Sequence, residues 1–270
     1  MTSPIERAEA FCRRYGLRLP IVMAPMAGAC PPALAAAVAA AGGMGACGAL
    51  VLSPAQIADW VGQARAASNG PFQVNLWIPN APPARDAAHE AQVREFLADW
   101  GPEPAESAGE VRLQDFEAQC EAVLAAGPAV VSSIMGLFPP VMVARMKERR
   151  IAWWATVTTL AEARAAAEAG ADAIVAQGME AGGHRGAFDP ARAEIDLVGL
   201  FALLPAIADA TRLPVIATGG VTDARGVAAA LALGASAVQV GTGFLRCPES
   251  QLAPAWSEAL AAATPEGTAV

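Results

Sequence analysis

The chain has 270 residues, of which 54% are hydrophobic and 16% are charged, and its formal net charge is −8. This composition excludes a disordered chain and fits one large domain, because α/β barrels of roughly 250 residues commonly share a single core. The acidic charge and the lack of a lysine-rich or arginine-rich run argue against nucleic acid as a partner.

The first part of the chain raises the question of a membrane span, because residues 19–58 contain no charged side chain. Prolines and the Gly42-Gly43 pair interrupt this segment, so it predicts a buried strand–helix–strand unit and no membrane contact. Charged residues occupy much of positions 6–14, and no small-residue cleavage pattern follows an apolar core. We therefore expect no signal peptide.

The cysteines are scattered, without a C-x-x-C pair and without a histidine at metal-ligand spacing. We expect no metal site, and free thiols in a reducing cytoplasm. The five cysteines are Cys12, Cys30, Cys47, Cys120 and Cys247.

Short apolar and β-branched runs recur along the chain, and alanine-rich segments with helical spacing lie between them. This alternation predicts eight βα units. The predicted strands are 20–26, 44–50, 72–77, 129–135, 151–157, 173–178, 214–219 and 237–241. The predicted helices are 32–41, 54–67, 141–150, 159–169, 197–210, 223–233 and 250–262.

Residues 79–118 interrupt the alternation, because prolines alternate there with charged residues around a short helical pattern at 86–99. We interpret this segment as an excursion after strand three and as a candidate lid. An open doubly wound sheet is the alternative fold, but no G-x-G-x-x-G follows the first strand. The sequence therefore predicts a single-domain (β/α)8 TIM barrel over residues 1–270.

Glycines gather at the ends of the last two predicted strands, at Gly219-Gly220 and at Gly241-Thr242-Gly243. One such loop would fit a tight turn as well as a phosphate site. Two at neighbouring strand ends predict a phosphate site, because barrels often bind phosphate there through backbone N–H groups. We expect Thr222 to cap the helix that follows strand seven.

The segment after strand six has the sequence Q-G-M-E-A-G-G-H-R-G over residues 177–186. A histidine on a glycine-flanked loop at the mouth of a barrel is a candidate base, so His184 is the predicted catalytic residue. Its neighbour Arg185 is the predicted cationic contact for an anionic substrate. We expect His89, on the short helix of the excursion, to be structural.

Three residues inside the predicted strands also need an explanation. Asn75 ends strand three, where a buried amide needs hydrogen-bond partners. Its position predicts a ring contact with a cofactor, and a structural network is the alternative. Trp153 and Trp154 are adjacent, so their side chains point to opposite faces, and we expect both to be packing residues.

The assembled motifs resemble the nitronate monooxygenases, formerly called 2-nitropropane dioxygenases. They are P-I-V-M-A-P-M-A-G at 20–28, F-Q-V-N-L-W-I-P at 72–79, Q-G-M-E-A-G-G-H-R-G at 177–186 and P-V-I-A-T-G-G at 214–220. The resemblance extends from about residue 19 to about residue 250. It implies an FMN-dependent enzyme that oxidises alkyl nitronates such as propionate 3-nitronate with O2, without a nicotinamide.

The resemblance also implies roles for individual residues. The flavin ring would be bordered by Ala24, Pro25 and Met26. It would be hydrogen-bonded by Asn75 and Gln177 and lined at its edge by Gly182 and Gly183. Its phosphate would be held by Gly219, Gly220, Gly241 and Thr242. His184 would be the base toward neutral nitroalkanes and a contact for nitronates.

Two features depart from the family pattern. Residues 132–136 read S-S-I-M-G, where many members carry a histidine or aromatic residues. Members also tend to continue beyond the point matching Val270, so part of a cap would be absent here if the native protein is longer. The sequence allows a homo-oligomer.

Two other functions stay open from the sequence. A flavin-dependent NADH enoyl-ACP reductase shares the barrel and the A-G-G-H loop. A flavin-free phosphosugar isomerase or lyase would use the same barrel, although no catalytic lysine or paired carboxylate at a strand end supports it.

Overall fold

The fold is a closed parallel barrel. The structure is a computed structural model that describes residues 3–81, 84–110 and 113–268. The strands are β1 (Ile21–Met23), β2 (Gly45–Gly48), β3 (Phe72–Trp77), β4 (Val130–Ile134), β5 (Ala152–Val157), β6 (Ala173–Gln177), β7 (Val215–Thr218) and β8 (Ala237–Val240).

The strands pair in the order β1-β8-β7-β6-β5-β4-β3-β2, and every pair is parallel. The two ends of this order meet, because the Met23 amide donates to the Met44 carbonyl at 2.9 Å and the Met44 amide donates to the Ile21 carbonyl at 3.0 Å. The predicted single-domain (β/α)8 barrel is confirmed.

The helices surround this barrel. They are α1 (Pro4–Tyr15), α2 (Pro32–Ala40), α3 (Pro54–Ala67), α4 (Ala87–Ala98), α5 (Phe116–Ala126), α6 (Pro140–Glu148), α7 (Leu160–Glu168), α8 (Leu200–Ala210), α9 (Ala224–Ala232) and α10 (Pro254–Ala262). Within the described residues, no helix is both long and apolar enough to cross a membrane.

Most predicted elements occur within two residues of their expected bounds, but two helices begin later than predicted. The α8 helix begins at Leu200 rather than 197, because the Glu180 carboxylate accepts the Leu200 N–H at 2.9 Å and caps the helix there. The α10 helix begins at Pro254 rather than 250, and proline favours the first helical position. Two further helices, α1 and α5, were not predicted.

The unpredicted α1 closes the amino-terminal end of the barrel. Its Phe11 and Tyr15 rings pack against Trp154, with the Tyr15 and Trp154 centroids 4.9 Å apart. The Trp154 indole N–H also donates to the Tyr15 hydroxyl at 2.9 Å. Around these rings lie the apolar side chains that the strands bury at this end, which include Val22, Met44, Val130, Val175, Ile216 and Ala237.

The two adjacent tryptophans of β5 face opposite sides of the sheet, as expected. Trp154 joins the cluster at the end of the barrel, whereas Trp153 packs against Phe138 of the outer shell at 5.7 Å. The Trp153 indole donates to the Ser133 hydroxyl at 3.0 Å. Both are almost fully buried, at 1% and 0% exposure, so both are packing residues.

The excursion lies between β3 and α5. The helical pattern predicted at 86–99 is the helix α4, which Asp86 caps. The excursion ends earlier than predicted, because Asp115 caps α5 and that helix begins at Phe116. Its ion pairs join residues of the excursion to one another, as in Arg85 with Glu90 at 2.5 Å. The lid role stays a prediction, and Pro82 and Pro83 lie outside the described residues.

Candidate functional site

The barrel buries polar side chains toward the carboxyl ends of its strands. Polar side chains there are buried at 7% exposure or less: Asn75, Ser132, Gln177, Thr218 and Gln239. Strand register places them side by side, because Asn75 pairs with Ser132 and Thr218 pairs with both Gln177 and Gln239. Buried polar groups need hydrogen-bond partners, so this end of the barrel is suited to ligand binding as well as to packing.

The ends of β7 and β8 form a glycine rim, defined here as Gly219, Gly220, Gly241 and Thr242. Gly219 and Gly220 have φ angles of 119° and 66°, which side-chain-bearing residues rarely adopt. Among the described residues, the N–H groups of Gly220 and Gly241 have no protein acceptor. Unpaired N–H groups at neighbouring strand ends fit an anion such as a phosphate.

The rim contacts the ends of β1 and β6. A Cβ added at Gly241 would lie 3.4 Å from the Ala24 Cβ and 3.6 Å from the Met26 sulfur. A Cβ added at Gly182 would lie 3.9 Å from the Thr242 hydroxyl. The structure thus brings together predicted site residues that are more than 200 positions apart in the sequence.

Other predicted residues surround this group. Pro25 lies half-buried between Ala24 and Met26, and Gly183 is exposed on the loop after β6, with φ at 81°. The Met26 amide donates to the Cys30 sulfur at 3.1 Å, which fixes the turn after β1. Burial raises the pKa of the Cys30 thiol to about 11, so this thiol stays protonated near neutral pH.

The expected helix cap beside the rim was wrong. Asp223, not Thr222, is the N-cap of α9, and its carboxylate accepts the N–H groups of Arg225 and Gly226 at 2.9 Å and 3.2 Å. The Arg225 side chain holds the pKa of Asp223 below its usual value. The first turn of α9 is thus occupied by a carboxylate, which leaves anion binding to the glycine rim.

The Gln177 side chain folds back onto its own loop. Its Oε1 accepts the Gly186 N–H at 2.7 Å, and its Nε2 donates to the His184 carbonyl at 3.0 Å. One N–H and one lone pair of the amide are still available to a ligand. Gln177 therefore shapes the loop that carries His184 and can still contact a cofactor.

His184 lies at the mouth of the barrel with an exposed side chain. Its ring lies 4.7 Å from the ring of Trp77 in an edge-to-face arrangement at 74°. Trp77 ends β3, and two strands separate β3 from β6, so the loop after β6 crosses the mouth of the barrel. Sequence reasoning gave no role to Trp77, although it ends the V-N-L-W motif.

Arg185 lies differently from the prediction. It is 7% exposed, and its guanidinium donates to the backbone carbonyls of Gln177 at 2.7 Å, Asp196 at 3.1 Å and Thr158 at 3.5 Å. Burial lowers its pKa, and neighbouring carboxylates oppose that shift. Its Nε is buried without a partner among the described residues. A guanidinium held by carbonyls argues against the predicted substrate contact.

Glu162 has a structural role that was not predicted from the sequence. The Glu162 carboxylate, on α7, accepts the Thr158 N–H at 2.6 Å and the Phe188 N–H at 2.7 Å. It thereby ties the end of β5 to the loop after β6. Thr159 followed three residues later by Glu162 is a capping box, which was the available signal.

The backbone after β4 is unusual at the position where the sequence departs from the family pattern. Met135 has a φ of 65°, which is uncommon for a residue with a side chain, and Gly136 follows with a φ of 150°. A Cβ at Gly136 would lie 2.9 Å from the Ile78 Cγ2. Such conformations gather at functional sites.

The predicted polar residue Asn75 has a structural partner. The Asn75 Nδ2 donates to the Ser132 hydroxyl at 3.0 Å and to its carbonyl at 3.2 Å, which gives the network that the sequence left open. The Asn75 Oδ1 is still available to a ligand.

His89 lies on the exposed α4, away from these residues. In the described ranges, no group of three or more histidines, cysteines or carboxylates could hold a metal ion.

Comparison with known proteins gives consistent results. A family profile described as nitronate monooxygenase matches residues 13–270. A nitronate monooxygenase of Paraburkholderia phytofirmans is 41% identical over 251 residues, which cover 91% of this chain and 68% of that protein. A nitronate monooxygenase of Pseudomonas aeruginosa is 40% identical over 257 residues, which cover 93% of this chain and 73% of that protein.

Solved structures share the fold. A nitroalkane oxidase from Streptomyces ansochromogenes has a TM-score of 0.80 and 34% identity, and the match covers 93% of this chain and 72% of that chain. FabK from Thermotoga maritima has a TM-score of 0.72 and 29% identity, with coverage of 92% and 66%. Of these two structures, the nitroalkane oxidase is the more similar.

Proposed function

This chain belongs to the nitronate monooxygenase family, a family of oxidoreductases, and on that premise we propose that it oxidises alkyl nitronates with O2 by means of bound FMN. One observation carries the proposal: the glycine rim and the loop that presents His184 converge at the polar end of the barrel. An anion cradle and a candidate base thus share one mouth, where barrel enzymes place their chemistry.

The residues present fit FMN. Among the described residues, the unpaired N–H groups of Gly220 and Gly241, with Gly219 and Thr242 beside them, suit one terminal phosphate. No dinucleotide fingerprint follows β1, so a single phosphate favours FMN over FAD. The ring would lie against Ala24, Pro25 and Met26, with hydrogen bonds from Asn75 and Gln177 and its edge along Gly182 and Gly183. When bound, FMN supplies the acceptor for the electrons of the substrate.

The chain's own contribution to the chemistry centres on His184. A neutral imidazole can remove the proton from the carbon beside the nitro group of a nitroalkane. A nitronate has already lost that proton, so His184 then binds and orients it. Trp77 restricts the freedom of the imidazole by direct contact. Because Arg185 is buried, we assign the substrate contact to His184, with a small anion such as propionate 3-nitronate as the substrate.

A second candidate is an NADH-dependent enoyl-ACP reductase, which the A-G-G-H loop at 181–184 favours. It needs room for a nicotinamide stacked on the flavin, whereas a nitronate needs little. The nitroalkane oxidase structure, with a TM-score of 0.80 and 34% identity against 0.72 and 29% for FabK, favours the nitronate. The free state of the five cysteines supports a reducing compartment, and we place the protein in the cytoplasm.

The test begins with the purified protein. We expect it to be yellow, to release FMN and not FAD on denaturation, and to consume oxygen when propionate 3-nitronate is added. Chromatography of the released flavin and an oxygen electrode give the two readouts. Colourless protein, or protein that holds FMN but consumes no oxygen with any nitronate, would contradict the proposal.

A further inference from the structure

The backbone around His184 is held at several neighbouring points. The His184 carbonyl accepts from Gln177, the Gly186 N–H donates to Gln177, and the Phe188 N–H donates to Glu162. Arg185 follows His184 directly in the sequence, and its guanidinium binds carbonyls from three separate segments of chain. The His184 side chain itself is exposed, and within the described part of the chain its ring contacts only that of Trp77.

We propose that Arg185 is a positioning residue: its guanidinium fixes the backbone of residues 184–186 so that the His184 imidazole stays against Trp77 at the mouth. Because the exposed His184 ring makes few contacts within the described residues, its placement depends on the backbone of residues 184–186. Arg185 joins that backbone to β6 through Gln177, to the end of β5 through Thr158 and to the segment before α8 through Asp196.

The geometry requires arginine rather than a generic cation. Guanidinium nitrogens point in fixed directions, so one side chain reaches three carbonyls on different segments. A lysine ammonium keeps the charge but is a compact point donor on a flexible stem. Arg185→Lys should therefore retain charge and burial while losing the fixed geometry, which separates positioning from simple charge.

The first test reads the His184 ring directly and needs no catalysis. The chain has two histidines, so ring signals in NMR spectra divide into those of His184 and those of His89. The Trp77 ring current should displace the His184 ring protons from their free-peptide shifts. Arg185→Lys should move them toward free-peptide values while the His89 signals, on exposed α4, stay unchanged.

Arg65→Lys is the matched control, because Arg65 also donates to a backbone carbonyl, that of Gly127 at 2.9 Å, but near the amino-terminal end of the barrel. We expect it to leave both histidines unchanged. Unaltered His184 signals in a folded Arg185→Lys variant would overturn the proposal. If that variant does not fold, Glu162→Gln weakens the anchor at Phe188 and should produce a smaller displacement of the same signals.

The second test rests on the proposed function and uses turnover. Arg185→Lys should lower kcat for a neutral nitroalkane about tenfold to a hundredfold, because small misplacements of a catalytic group cost that much. The loss with a preformed nitronate should be smaller, and KM and FMN content should change little. Adding Arg185→Lys to His184→Asn should cause no further loss, since the positioned group is already gone.

Independent, additive losses in that double variant would overturn the positioning role. Inactivity of the parent protein toward both substrates would instead contradict the proposed function, and the histidine signals would still decide whether Arg185 positions His184.

Discussion

The two ends of the barrel differ in what their inward-facing residues can do. At the amino-terminal end, α1 places Phe11 and Tyr15 against Trp154, and the surrounding side chains are apolar. At the carboxyl end, the same strands bury amides and hydroxyls such as Asn75 and Thr218 and then end in glycine or in turns of unusual conformation. One end is filled, whereas the other offers hydrogen-bonding groups.

This contrast shows how one fold separates stability from chemistry. Apolar burial contributes roughly 25 cal/mol per Å² and needs no ligand, so the closed end can stabilise the barrel by itself. The open end keeps unpaired N–H groups and an exposed imidazole, which contribute little to folding. Substitutions at the closed end should therefore lower stability, whereas substitutions at the open end should lower turnover or flavin binding.

The largest effect is expected for His184→Asn. An amide can fill the space and form hydrogen bonds, but it cannot accept a proton near neutral pH. Turnover of a neutral nitroalkane should fall by roughly 10²–10⁴-fold, the usual contribution of a general base. The loss with a nitronate should be smaller, and bound flavin should be unchanged. Steady-state kinetics with both substrates provide the measurement, and parent-like rates with both would show that His184 is structural.

A large effect on cofactor binding is expected for Gly220→Asp. The new side chain would bring negative charge to the glycine rim. Aspartate would also be strained at the φ of 66° that Gly220 adopts there. Loss of one charge-assisted hydrogen bond costs about 1.5–3 kcal/mol, so flavin affinity should fall by at least tenfold.

The matched control for that substitution is Gly16→Asp, at a φ of 69° beside the closed end. It introduces the same backbone strain and charge without touching the rim. Flavin titration should show parent-like affinity for Gly16→Asp. Equal flavin affinity in both variants and the parent would remove the phosphate assignment.

A moderate effect, confined to stability, is expected for Tyr15→Phe. The change removes the acceptor of the Trp154 indole N–H and leaves a buried donor unpaired. The free energy of unfolding should fall by about 1–3 kcal/mol. Denaturant unfolding measures this loss, while kcat and flavin content should stay at parent values. A large drop in kcat in a folded variant would break the proposed division between the two ends.

The smallest effect concerns the Cys30 thiol beneath the β1 turn. Burial raises its pKa to about 11, so only about 0.1% of it is thiolate at pH 8, and thiolate is the reactive form. Native protein treated with iodoacetamide at pH 8 should therefore carry the label at the partly exposed Cys247 long before Cys30. Mass spectrometry of peptides reads the order. Rapid labelling of Cys30 would show that the turn opens readily.

The sequence predicted the barrel well because each strand has its own local apolar run. It missed α1, although Ser3 and Glu6 form a capping box with Pro4 at the first helical position. It missed α5 because that helix follows the proline-rich excursion and buries a polar residue, Gln119, which donates to the Ala49 and Leu52 carbonyls. A polar side chain at a buried position obscures the apolar period.

The candidate site residues could be proposed from their residue type and their position in the sequence, but their contacts could not. The glycines after β7 and β8 and the histidine after β6 could be proposed from the sequence, because few predicted strands are followed by such residues. The direction of the Arg185 guanidinium was not predictable, because it depends on carbonyls of Thr158 and Asp196, which only tertiary structure brings near. The pairing of Asn75 with Ser132 depends on strand register for the same reason.

Whether the protein oxidises nitronates is best measured by anaerobic mixing of the purified, flavin-loaded protein with propionate 3-nitronate and, separately, with NADH at the same concentration. We expect the nitronate to bleach the flavin absorbance rapidly and NADH to leave it unchanged. Rapid bleaching by NADH, with none by the nitronate and no oxygen uptake when the nitronate is added in air, would contradict nitronate oxidation and favour the enoyl-ACP reductase.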